Sequence, residues 1–383
     1  MKYVKVEDLG QIVTGNTPPT SDMSNYGNYM PFIKATDIIL GSRYTYVTEQ
    51  GYSEKSYKKY KANIVPKGST CIVTIGSIGK KMTQAHTDLF VNQAINAILP
   101  YKQYDKDYIY YATKYAVLPQ LKIYDSGTTS GRENISKSSF SNIRLYVEED
   151  FSTQQKIASI LSAYDRLIEN NTRRIRLLEQ MAENLYKEWF VRFRFPEHEN
   201  VEMVNGLPKG WKIKKLGEYA NISTGKCNRE DAEEDGIYPL FDRSQEIKKS
   251  SKWIKDCEAI IVPGEGTSFM PRYYKGKFNL HQRCYCIEPT IKDIGFYLFY
   301  SIMLNRKYFL SVATGATVPS LRQNNFTKMK LIIAELELVK KYNKIASTIA
   351  FQIDRLKEQN TLLTRQRDLL LPRLMSGKLE VKS

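Results

Sequence analysis

The chain has 383 residues and a formal net charge of +16. That length supports two or more cores, and such a surplus of Lys and Arg points to a polyanionic partner, nucleic acid first and a membrane surface second. No run approaches the ~18 apolar residues of a membrane span. The longest candidate, 294–304, contains Gly295 and Ser301, and Met1-Lys2-Tyr3-Val4-Lys5 has no signal-peptide apolar region, so the cytoplasm is expected. Five cysteines at irregular spacing argue against a disulfide framework.

In chain order, short β-rich runs punctuated by Gly and Pro predict strands at 71–75, 94–99 and 143–147, with a short helix near 107–118. The stretch 154–190 then lacks both Gly and Pro. Its apolar residues recur at Ile157, Tyr164, Leu178 and Leu185, and again at Ile160/Leu161, Leu167/Ile168, Met181/Ala182 and Trp189. That seven-residue a/d pattern predicts a coiled-coil helix. Residues 192–210, with two prolines and glycine-containing turn signals, read as a linker. Further strands are predicted at 259–262 and 284–287, and a short helix near 294–306. A second long helix carries Ile349, Leu356, Leu363 and Leu370 on one row, with Ile353, Asn360, Arg367 and Leu374 on the other.

The two long helices are copies. Lys156-Ile157-Ala158-Ser159 is echoed by Lys344-Ile345-Ala346-Ser347, and Asp165-Arg166-Leu167 by Asp354-Arg355-Leu356. The repeat reaches back into the preceding segments. Leu9-Gly10 is echoed by Leu216-Gly217, Thr14-Gly15 by Thr224-Gly225, Pro31-Phe32-Ile33 by Pro239-Leu240-Phe241, and Tyr108-Ile109-Tyr110-Tyr111 by Tyr297-Leu298-Phe299-Tyr300. The expected architecture is α+β: two similar mixed α/β domains, each followed by a long helix, with the two helices forming an antiparallel coiled coil about a pseudo-two-fold axis. The expected boundaries are a first domain at 1–151, a helix at 152–191, a linker at 192–210, a second domain at 211–336, and a second helix with a tail at 337–383. Asn171 and Asn360 fall on the seams. A polar Asn there costs stability and fixes register, and under such an axis the two would meet.

Enzyme signatures are weak. Gly76-Ser77-Ile78-Gly79-Lys80-Lys81 has the wrong spacing for a phosphate-binding loop, and the three histidines form no H-E-x-x-H. Asp235 or Asp242 with Glu246 and Lys248 resembles the acidic pair plus Lys of a metal-dependent nuclease; a solvated acidic loop is the blander alternative. Cys227, Cys257, Cys284 and Cys286 lack a paired C-x-x-C, a weak zinc signal. In the repeat, Cys284 and Cys286 stand where the first half has Ile95 and Ala97, so buried thiols are expected. No catalytic residue and no metal ligand is assigned.

The basic loops suit duplex DNA. The first domain offers Asn16, Thr17, Lys34, Arg43, Tyr44, Lys80, Lys81, Thr128, Arg132 and Asn134. The second offers Lys226, Asn228, Arg229, Arg243, Arg272, Arg283, Thr314, Arg322 and Gln323. Arg and Lys fork onto guanine and Asn and Gln onto adenine, while Thr, Ser and backbone N–H groups serve phosphates. Two similar domains with different loops would each read a different half-site, as a dimer does on a palindrome, but on an asymmetric split sequence. The rigid helices would set the spacer.

Over essentially its whole length the chain resembles the specificity (S) subunit of type I restriction-modification systems. The resemblance rests on the two-fold layout of domain plus helix. It rests also on Gly206-Leu207-Pro208-Lys209-Gly210-Trp211 leading into Leu216-Gly217, and on Gln154-Gln155-Lys156-Ile157-Ala158. The terminal Leu374-Met375-Ser376-Gly377-Lys378-Leu379 adds to it. It implies a non-catalytic subunit whose two target-recognition domains select the DNA. It implies two modification (methyltransferase) subunits using S-adenosylmethionine, and restriction (motor/nuclease) subunits using ATP and Mg, with no cofactor in this chain. The first domain departs from the family in lacking a Leu-Pro-x-Gly-Trp entry, and the second has Asp242 where the first has Lys34. The rivals are a stand-alone DNA-binding or scaffold protein that dimerises through its coiled coil, and the nuclease.

Overall fold

A computed structural model describes residues 1–126, 133–315 and 317–381. The chain divides into two compact units, Met1–Thr172 with Glu358–Ser383, and Arg173–Lys357.

In the first unit, Lys2–Lys5 pairs antiparallel with Arg144–Val147. A four-stranded sheet runs in the order Gly10–Thr14, Ile95–Pro100, Thr70–Val73, Met82–Gln84, all antiparallel. A three-stranded sheet places Tyr26–Ile33 between Gln50–Tyr52 and Phe90–Val91, the last pair parallel. The inward side chains of the four-stranded sheet divide into two cores. One holds Ile33, Cys71, Val73, Val91, Ile95 and Ala97. The other joins Ile12, Ile72 and Ile98 to the helix Lys106–Ala112 and to residues of both long helices.

The second unit repeats this topology. Lys212–Lys215 pairs with Lys330–Ile333. Ala220–Thr224, Cys284–Pro289 and Lys255–Pro263 stand in the order of their counterparts, and Tyr238–Phe241 again runs parallel to its partner, Arg272–Leu280. Cys284 and Cys286 are buried against Phe241, Phe278 and Leu280, as Ile95 and Ala97 are in the first unit. Burial pushes the Cys284 thiol up to about 12, as expected of a thiol that serves as packing.

The long helices span Phe151–Tyr186 and Leu336–Met375. In the first unit the start of the former packs with the end of the latter: Ile157, Ala158 and Leu161 share a core with Leu371, Leu374 and Met375. In the second unit Ala182 and Tyr186 pack with Tyr342, Ala346 and Ile349. The helices therefore run antiparallel. The inward members of the ambiguous sequence pairs are Leu161, Ile168 and Ala182, while Leu167 and Met181 face solvent. On the second helix the buried or half-buried row is Tyr342, Ala346, Ile349, Ile353, Leu356, Asn360, Leu363, Arg367, a regular alternation of three and four.

One difference between the copies has a structural consequence. Lys156 to Asp165 is one residue shorter than Lys344 to Asp354, and one residue is about 100° of helix rotation. Asp165 is therefore buried, whereas Asp354 is exposed and Ile353 takes the inward position. The first unit meets its buried Asp with Arg367, whose Nη1 lies 2.5 Å from Asp165 Oδ1. Ile353 belongs to the second unit's apolar core, in which the rings of Tyr186, Phe190, Tyr297 and Tyr342 pack together and the Tyr186 hydroxyl bonds Ser301 Oγ at 2.7 Å.

The 192–210 stretch is itself ordered. An Asn205-Gly206 turn with both φ positive closes a small hairpin of Met203–Val204 and Leu207–Pro208. Phe195 is buried, stacked on Trp211. No helix among the described residues is long and apolar enough to cross a membrane.

Candidate nucleic-acid interface

Strand direction gathers loops at one end of each unit. In the first unit, Gly10–Thr14 ends, Thr70–Val73 ends and Ile95–Pro100 begins at the same rim. The parallel pair Tyr26–Ile33 and Phe90–Val91 ends there too: Asn16 N–H donates to Val91 O and Asn92 N–H to Ile33 O. The approach is so close that a Cβ on Gly15 would lie 2.2 Å from the carbonyl oxygens of Val91 and Asn92. This rim carries Asn16, Thr17, Lys34, Lys80 and Lys81. Lys80 is exposed. Lys34 pairs with Glu49 at 2.8 Å, Lys81 donates to Ala35 O at 3.0 Å, and Thr17 bonds Gln93. Asn134 joins the rim through a bridge to Ile75. Thr128 and Arg132 lie outside the described residues, as does the side chain of Arg229.

Arg43 and Tyr44 do not belong to the rim, which corrects the sequence expectation for them. Arg43 is 5% exposed. Its Nε donates to Gln84 Oε1 at 2.8 Å, Nη1 to Ser162 Oγ at 2.7 Å and to the Tyr111 hydroxyl at 3.2 Å, and Nη2 pairs with Asp107 at 2.6 Å. A guanidinium held this way has no face for DNA. It fastens the first unit's sheet to the first long helix, and Tyr44 lies under it as a cation–π partner. Sequence reasoning missed this network. The legible clue was Arg367 on a helix seam, since a buried charge needs a partner.

The second unit's rim is built alike. Lys226 N–H donates to Leu280 O, His281 N–H to Phe241 O, Gly264 N–H to Arg283 O, and Leu321 N–H to Gly264 O. Gly225 matches Gly15, since its Cβ would sit 1.8 Å from Leu280 O. Lys226, Asn228, Arg243, Arg283, Arg322 and Gln323 are exposed on it or beside it. Asn228 Oδ1 accepts from Gln282 at 2.6 Å, and Gln323 donates to Ile222 O at 2.8 Å. Thr314 is exposed and exchanges backbone hydrogen bonds with Ser320. Arg272 is half-buried over the Phe241 ring, with its guanidinium on the carbonyls of Ser244 and Asp242, and acts as a strut of the rim.

Asp242 is spent in the same corner. Lys248 Nζ lies 2.6 Å from Oδ2, while Ser244 donates to Oδ1 from both N–H and Oγ. Burial alone would raise this carboxyl, but the Lys248 and Ser244 bonds overcome it and hold it at about 2. With those lone pairs occupied and Glu246 exposed on the loop, the arrangement is a turn lock. Among the described residues no group of three or more His, Cys, Asp or Glu side chains is gathered to hold a metal ion.

On the helices, Asn171 Nδ2 donates to Gln359 Oε1 at 3.4 Å, and Asn360 Nδ2 donates to Thr172 Oγ1 at 3.3 Å. Each Asn thus engages the other's neighbour.

The family described as Type I restriction modification DNA specificity domain matches residues 1–180 and 208–365. The Type I restriction enzyme MjaIX specificity subunit of Methanocaldococcus jannaschii is 27% identical, over 99% of this chain and 93% of that protein. The Type I restriction enzyme EcoDI specificity subunit of Escherichia coli is 32% identical over 45% of this chain and 39% of its own length. The crystal structure of the type I restriction-modification system S subunit from M. genitalium shares the fold, with a TM-score of 0.62 at 18% identity, covering 98% of this chain and 96% of that one.

Proposed function

The chain belongs to the type I restriction-modification DNA specificity family, and we propose from that premise that its two strand-end rims read the two halves of an asymmetric, split site in double-stranded DNA. The observation that carries the reading is a repeated scaffold with unlike rims. Glycines at the same position, Gly15 and Gly225, hold equivalent loops together, while the side chains those loops present differ. The first rim offers Asn16, Thr17, Lys34, Lys80 and Lys81. The second offers Lys226, Asn228, Arg243, Arg283, Arg322 and Gln323. Cationic and amide groups of this kind hydrogen-bond base edges and phosphates.

The antiparallel helices set the separation of the two readers and hence the spacer, with Asn171 and Asn360 as polar register marks on their seam. The chain carries no catalysis of its own. Two modification subunits would bring S-adenosylmethionine-dependent methylation, and restriction subunits would bring ATP- and Mg-dependent cleavage.

The test is a pull-down from the native cell with methylome sequencing, with and without the gene. The reading expects a co-purifying methyltransferase and one split, non-palindromic adenine-methylation motif that vanishes on deletion. An unchanged methylome with no methyltransferase recovered would refute it.

A further inference from the structure

Three positions of the second rim differ from the first in one concerted way. The strand pairings align Glu265 with Ile75, since Pro263 pairs with Cys284 as Val73 pairs with Ile95, and both rim residues make a single bridge to the segment before the next short helix. The same frame aligns Arg283 with Ala94: Gly264 N–H donates to Arg283 O, and Thr74 N–H to Ala94 O. It aligns Arg243 with Ala35, two residues beyond the parallel pairs Phe241–Leu280 and Ile33–Val91. An Arg-Glu-Arg cluster thus stands where the first unit has Ala, Ile and Ala.

The cluster is organised around the carboxylate. Arg243 Nη1 lies 2.6 Å from Glu265 Oε2, and Arg283 Nη1 lies 2.5 Å from Oε1. The Glu265 side chain is 14% exposed, against 49% and 58% for the two arginines. Each guanidinium gives one nitrogen to Glu265. Nε and Nη2 of both make no hydrogen bond among the described residues and remain as a donor pair. A two-donor edge of a planar guanidinium matches the N7 and O6 acceptors of guanine in the major groove. Exposed ion pairs contribute little to stability, so the effect of Glu265 is to fix two flexible side chains before binding, which lowers the ordering cost of recognition.

We propose that Glu265 is a positioning residue for sequence recognition, aiming Arg243 and Arg283 at guanines in the half-site read by the second unit. This rests on the DNA-reading function proposed above. Glu265 touches no base itself, being covered by the two arginines.

The experiment selects binding sites from a randomised duplex library, using the complex purified from its native cell and complexes carrying Glu265→Gln, Arg243→Lys, Arg283→Lys or Arg283→Ala. The wild type should yield a split motif with guanine at two or more positions of one half. Arg283→Ala should relax one guanine by about fivefold or more, the discrimination of one bidentate pair. Glu265→Gln should relax the guanines read by both arginines and leave the other half-site unchanged. A merely structural lesion would not produce that pattern. The Arg→Lys variants keep the charge and lose the fork, so each should relax its own guanine, and unchanged preferences in both would overturn the proposal even should Glu265→Gln fail to assemble. Uniformly weaker binding with unchanged base preferences would assign the arginines to phosphates and overturn the proposal, as would an unaltered motif for Glu265→Gln. A wild-type complex that selects no split motif would overturn the DNA-reading function as well.

Discussion

Replacing Arg367 with methionine isolates the buried charge network of the first unit. Arg367 and Asp165 have side chains 4% and 6% exposed, and their N–O distance is 2.5 Å. Methionine keeps the bulk and removes the charge, leaving Asp165 with the Tyr111 hydroxyl as its remaining close partner in this network. Breaking a buried pair from one side costs about 3–5 kcal/mol. Asp368, half-exposed and near Lys114, loses little. We expect about 3 kcal/mol for Arg367→Met. The double variant Asp165→Leu/Arg367→Met removes both charges and leaves chiefly the Tyr111 hydroxyl without its acceptor, a cost of about 1–2 kcal/mol. The double should therefore be more stable than Arg367→Met alone, with a coupling energy of at least about 2 kcal/mol. Thermal unfolding reads this directly, since each kcal/mol moves the midpoint of a domain this size by about 2–4 °C. A double variant as unstable as the sum of the two singles would mean that the two side chains are not coupled.

The other expectations concern the second unit and the rims. A methyl group at Gly15 or Gly225 would fall 2.2 Å or 1.8 Å from backbone carbonyl oxygens, so each Gly→Ala variant should lose at least about 1–3 kcal/mol in urea unfolding. The Asp242 carboxyl is held at about 2, below the usual 3.8. It contributes stability above pH ~3.8 that is lost as pH falls toward 2, up to about 2 kcal/mol; Lys248→Met should flatten that part of an acid-unfolding profile. Tyr186→Phe removes the bond to Ser301 and should cost about 1 kcal/mol in chemical unfolding.

The long helices were legible because a 3.5-residue apolar period survives over many turns, and the repeat told which domains were alike. The choice within pairs such as Leu167/Ile168 was not legible, because it depends on what lies opposite. Strand Tyr26–Ile33 escaped because Gly27 and Pro31 break its alternation. Arg43 read as a solvent-facing cation in a Gly-Ser-Arg-Tyr loop, since its partners lie 41, 68 and 119 residues away in sequence. Glu265 escaped for the opposite reason. Cations and amides are the residue types that mark DNA contacts in a sequence, and a carboxylate that organises two arginines carries the opposite sign.

In the proposed function each unit reads one half-site. The most direct measurement is methylome sequencing of cells in which residues 211–335 of this chain are replaced by the corresponding domain of a family member with a different motif. One half of the split motif should change while the other half is retained. A motif altered in both halves, or in neither, would contradict it.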